Sequence, residues 1–199
     1  GGTAPYAWDM PTIYHQQMFG SDFPVIDEVE LQPEPMYERW AEQDIEFDFP
    51  LYGESFSKVY MHRDGFLMFG EDIYPWPYYK DAHLLFKKVK MVPAFLFKPV
   101  EYYPGTKSRD VMYYEGDETY AAFRWDQPLT YFEETVGHGE FAIILYPDGR
   151  IEFYYNDIQL DENVIWNAGV SAGDESSYTM IGTAGTNVLP VHDAYALIP

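Results

Sequence analysis

Residues 139–155, GEFAIILYPDGRIEFYY, constrain this chain more than any other stretch. Residues 141–145 are apolar and rich in β-branched side chains, and residues 151–155 resume the same pattern. Between them lies Tyr146-Pro147-Asp148-Gly149. Asp-Gly between two such runs is a strong hairpin signal, because glycine takes the positive φ that a tight reversal needs. A chain with this hairpin at its centre is expected to be antiparallel β.

The same grammar recurs along the chain. Ile45, Phe47 and Phe49 alternate with Glu46 and Asp48. Arg63-Asp64-Gly65 makes a second turn, followed by an aromatic run ending in Phe69-Gly70. Residues 84–97 are mostly apolar, with Lys87, Lys88 and Lys90 interspersed; Pro93 within them points to an edge strand or a bulge. Further strands are expected over 111–114, 120–125, 166–170, 178–181 and 194–198, separated by Glu115-Gly116-Asp117 and Gly173-Asp174 turns. Residues 36–43 suit a single helical turn, and no long stripe of period 3.6 is present. Many short strands with frequent turns predict an all-β, antiparallel β-sandwich of jelly-roll type.

At 199 residues the chain suits one large domain, long enough to bury a core without the cysteines it lacks. Residues 1–44 read as an extended N-terminal arm and lead-in, and residues 45–199 as the β-sandwich domain. The first 24 residues are punctuated by prolines, yet too apolar for a free tail. The chain begins at Gly1 and shows no signal peptide, so a processed mature chain or a fragment is expected.

Charge narrows the partners. With 33 acidic against 12 basic residues, the net charge is −21. Phosphate backbones are held by Lys and Arg, so nucleic acid is excluded as an expected partner, and an anionic membrane surface is disfavoured for the same reason. No apolar run is long enough to span a bilayer as a helix.

The order of the pieces carries a resemblance. IEFDFPLYGESFSKVYMHRDGFLMFGE resembles the opening of a β-sandwich module of secreted bacterial and archaeal proteins, with its Asp64-Gly65-Phe66 turn and terminal Phe69-Gly70. VMYYEGDETYAAFRW resembles that module's strand, turn and strand ending in Trp; GEFAIILYPDGRIEFYYNDI resembles its hairpin, and NAGVSAGDESSYTMIG its closing strands. The extracellular nidogen-type domain is similar more distantly. The resemblance covers residues 45–183 and leaves the first 44 outside. Such modules are appended to surface proteases, adhesins and anchored proteins and generally lack catalytic residues. The resemblance therefore implies an extracellular or cell-surface location and no enzyme activity.

Candidate chemistry is sparse. There is no GxSxG and no HExxH, and the five histidines are scattered. His62 and Asp64 are expected to flank the second turn in water. Residues 137–142 fit GxGxxA by letter, but a strand rather than a phosphate-binding helix should follow. Asp157, Asp161 and Glu162, with Asn156 and Asn163, crowd one loop and supply the oxygens that calcium prefers; a solvated acidic loop is the alternative. Tyr74, Trp76, Tyr78 and Tyr79 form a proline-punctuated loop able to stack on sugar rings; covering the end of the sandwich, or a neighbour, is the alternative. Tyr6, Trp8, Ile13, Tyr14, Met18 and Phe19 give the arm an apolar character suited to lying on another subunit's sheet. The expected function is a non-enzymatic extracellular structural or adhesive subunit, self-assembling into a filament through its arm. The alternative is a carbohydrate- or calcium-binding accessory module of a larger surface protein.

Overall fold

A computed structural model describes residues 12–32, 40–70, 82–96, 111–131, 134–160, 166–181 and 193–199. Two antiparallel sheets are stacked. The first has seven strands, in the order β1 (His15–Gly20), β13 (Asp193–Ile198), β10 (Ile151–Leu160), β9 (Glu134–Leu145), β8 (Tyr120–Tyr131), β7 (Val111–Asp117), β2 (Val29–Leu31). The second has six, in the order β12 (Tyr178–Met180), β11 (Gly169–Ala172), β6 (Lys90–Pro93), β5 (Phe66–Met68), β4 (Glu54–His62), β3 (Trp40–Leu51). The all-β sandwich expectation holds. Each sheet is built largely from successive hairpins, β3 to β6 in one and β7 to β10 in the other.

The central hairpin lies where the Asp-Gly signal placed it. Leu145 stands opposite Ile151, and the turn closes with Tyr146 N–H donating to the Arg150 carbonyl at 3.0 Å. Gly149 takes φ +91° there, and Asp148 accepts the Arg150 N–H at 3.0 Å. Phe141, Ile143, Leu145, Ile151, Phe153 and Tyr155 point into the space between the sheets. Ala142, Ile144 and Tyr154 are buried on the opposite face. Covering of both faces is why this segment reads as a continuous apolar run rather than as a polar–apolar alternation.

A helix, α1 (Ala82–Lys88), covers the outside of the six-stranded sheet. This corrects the strand expected from residue 84. Ala82, Leu85, Phe86 and Val89 are buried at a helical spacing, and Lys87 and Lys88 sit in the last turn, where cations suit the helix dipole. The strand begins only at Lys90. Pro93 is also corrected, for β6 is an inner strand; Pro93 is its last residue, beyond the point where β11 pairs with it. Residues 40–43, read as part of a helical turn, belong to strand β3, while 36–39 lie outside the described residues. Strand β7 runs through Glu115-Gly116 to Asp117, so the reversal comes two residues later than expected. Residue 44, where the arm was divided from the sandwich, falls inside β3.

Aromatic burial sets an alkaline limit to stability. Burial pushes the Tyr14, Tyr52, Tyr146, Tyr154 and Tyr155 hydroxyls above the ordinary tyrosine range, and Tyr114 up to about 12. The fold therefore favours their protonated forms. Their contribution is complete below about pH 10 and is lost as pH rises from there toward the folded values. In a phenolate-absorbance titration these tyrosines should ionise only as the near-ultraviolet circular dichroism collapses. Ionisation of every tyrosine near pH 10, with the signal intact, would contradict the packing described.

Candidate functional site

The leading segment is the most unusual part of the molecule. Strand β1 pairs antiparallel with β13, from His15 opposite Ile198 to Gly20 opposite Asp193. Strand β2 pairs with β7 at the far edge of the same sheet, from Val29 opposite Tyr114 to Leu31 opposite Met112. The residues between them cross the sheet's outer face. Ile26 is 1% exposed and packs in a cluster with Ala122, Ala142, Ile144, Tyr154 and Ala194. Three alanines, on β8, β9 and β13, leave room for the crossing chain.

Polar contacts hold the strap in place. Arg124 Nε donates to the Ile26 carbonyl at 2.7 Å, and its guanidinium lies 4.3 Å from the centre of the Tyr113 ring. Glu140 is 3.5 Å from the same guanidinium. At the β1 end, Phe19 meets Tyr154 edge-on with centroids 6.0 Å apart. Beneath them, the largely buried Glu152 accepts from the Tyr146 and Tyr154 hydroxyls at 2.6 and 2.8 Å and from Arg150 Nε at 2.9 Å. Charge-assisted bonds of this kind offset the desolvation of a buried carboxylate. A cleft of about 570 Å³ opens beside the strap, lined by Gly20, Ser21, Asp22, Phe23, Tyr155 and Asn156.

The six arm residues singled out from sequence separate into three pairs. Tyr6 and Trp8 lie outside the described residues. Tyr14 is buried against Tyr52, with centroids 5.3 Å apart, and Phe19 is half-buried. Ile13 and Met18 are exposed, at 65% and 60%. Val25 and Val29, which are not among those six, join them at 78% and 45%. The other exposed large apolar residue among those described is Leu84 on α1.

Elsewhere the structure brings little chemistry together. Tyr74, Trp76, Tyr78 and Tyr79 lie outside the described residues, as do Asp161 and Glu162. Asp157 is exposed, with φ +48°, and accepts from Gln159 at 2.9 Å. Among the described residues, no group of three or more His, Asp or Glu is placed to hold a metal. Residues 137–142 run within strand β9, as the absence of a following helix implied. His62 is not at a solvated turn: it is 1% exposed and stacked on Phe66 at 4.3 Å. Its Nδ1 accepts the Asp64 N–H at 3.0 Å, which leaves the proton on Nε2 in the neutral ring. It is a buried histidine on the helix side of the six-stranded sheet, its ring stacked with Trp40 and Phe66 of the cluster that α1 covers.

The fold and this surface define an antiparallel β-sandwich strapped by its own leading segment. No family model matches the chain, and comparison with curated proteins and with solved structures gives no match either.

Proposed function

We propose that this protein is a non-enzymatic structural or adhesive subunit that assembles with copies of itself, forming a filament through its leading segment. The observation that carries this reading is the concentration of exposed apolar side chains there: Ile13, Met18, Val25 and Val29. Exposed apolar residues along one segment, from one edge of the sheet to the other, on a chain of net charge −21, are the feature that contacts would cover. The extracellular setting rests on the resemblance of residues 45–183 to secreted β-sandwich modules.

Magnitudes limit how such a contact works. Fully burying a large apolar side chain is worth about 1.5–3 kcal/mol, and these four are already partly covered. Association costs on the order of 4–15 kcal/mol in lost freedom. Side-chain burial at this segment is therefore comparable to the cost at best, and a lasting contact needs further interactions, main-chain pairing among them.

The test is the size of the purified chain, by light scattering and electron microscopy over rising concentration, with a variant lacking residues 1–11 alongside. Open-ended oligomers or fibres are expected from the full chain, with assembly weakened in the shortened one by loss of Tyr6 and Trp8. A full chain that stays monomeric at every concentration sinks the reading.

A further inference from the structure

Building on the self-assembly reading, we propose that the contact between copies runs edge to edge within the seven-stranded sheet, β1 of one copy against β2 of the next. Both strands are edges: among the described residues β1 pairs only with β13, and β2 only with β7. An edge strand offers a row of backbone donors and acceptors, and proteins that stay monomeric blunt such rows with charge, brevity or bulges.

Three of the four edges here are blunted. Strand β3 carries Glu42, Asp44, Glu46 and Asp48 and breaks register between Asp44 and Phe49. Strand β12 has only three residues. Strand β2 is equally short, and Asp27, Glu28 and Glu30 lie in or beside it. Strand β1, HQQMFG, has none of these devices: it is six residues long, keeps unbroken register with β13, and contains no Asp, Glu, Lys or Arg.

The occupant of β1 follows from what each edge carries. A β2–β2 contact would set Glu28 and Glu30 against their own copies, and like charges facing across strands repel. A β1–β1 contact would be closed and two-fold, and would leave Val29 uncovered. A β1–β2 contact covers Met18 from one copy and Val29 from the other, which alternation places on the same face of the sheet. It also brings the β2 carboxylates to the exposed His15 and Gln17 side chains, which share their face of the sheet and can donate to them. The same sheet then continues from copy to copy. Such a contact is heterologous and does not close, so it grows into a filament.

The test uses two full-length variants, each with one edge disabled. Met18→Asp places an acid on β1 to face the acidic β2, and Val29→Asp adds another acid to β2. Each variant alone should be monomeric where the wild type is multimeric. Mixed in equal amounts they should form a one-to-one dimer and nothing larger, because the intact β2 of the first meets the intact β1 of the second. If Val29→Asp dimerises alone while Met18→Asp does not, the contact is β1 to β1 and this inference falls. If both variants assemble like the wild type, the contact lies elsewhere, while the self-assembly reading stands. A wild type that never assembles overturns both. Each variant's melting temperature should match the wild type, since both positions are exposed; should either melt early, Gln16→Asp and Val29→Glu replace them.

Discussion

Trp125→Ala is expected to destabilise the protein by about 4 kcal/mol, a large share of the roughly 5–15 kcal/mol that holds a typical domain folded. Trp125 is fully buried on β8, with its ring 5.5 Å from that of Phe141. Its Nε1 donates to the His62 carbonyl at 2.8 Å, at the end of β4 in the opposite sheet. The residue thus fills the core and ties the two sheets together through one bond. Truncation removes the buried ring, opens a cavity, and strands the carbonyl without its donor. Trp125→Phe keeps much of the ring and loses the bond, so about 1–2 kcal/mol is expected. Urea unfolding of both variants, with the slope against denaturant unchanged, reads the two costs separately. A loss below about 1 kcal/mol for the alanine variant would show that the ring is not a cross-sheet anchor.

Gly65→Ala should cost about 3 kcal/mol or more, although it adds a single methyl group. Gly65 has φ +87°, and a Cβ there would lie 2.7 Å from the Phe95 carbonyl oxygen and 3.1 Å from the Phe141 ring. The Gly65 carbonyl also accepts from the Ala94 and Phe95 amides at 2.8 and 3.2 Å, so the turn cannot retreat without breaking those bonds. Gly53→Ala is the control. Its φ is +81°, but nothing stands within 4 Å of the added methyl group. It bears only the left-handed strain of about 1–2 kcal/mol. Equal losses at the two sites, measured by thermal or urea unfolding, would show that the close approach at Gly65 carries no cost of its own.

These two residues show how far the sequence could be read. Gly65 was legible as a turn residue, because Asp-Gly between apolar runs has a local backbone cause. That a carbonyl from residue 95 closes over it was not legible, since nothing near residue 64 encodes residue 95. Helix α1 was missed because seven residues give barely two turns of periodicity, and its lysines resemble the polar interruptions of a half-buried strand. His62 was misplaced because a histidine next to a turn is ordinarily wet. Its burial depends on Trp40 and Phe66, which stack with its ring from the two neighbouring strands. Of the candidate surface, Ile13 and Met18 were legible as apolar residues in an odd place. Val25 and Val29 were hidden among acids and prolines, and no local pattern marks a side chain that its own fold leaves uncovered.

Alternation of side chains and glycine-bearing turns act over a few residues, and so the sequence alone determined that this protein is made of short antiparallel strands stacked as a sandwich. The order of those strands, and the path of the leading segment, were decided only in three dimensions. Ile26 finds its place because Ala122, Ala142 and Ala194, distant in the chain, are small and adjacent on one sheet face, and because Arg124 reaches the Ile26 carbonyl. Fit between remote surfaces is a property of the assembled sheets and leaves no periodic trace in any one of them.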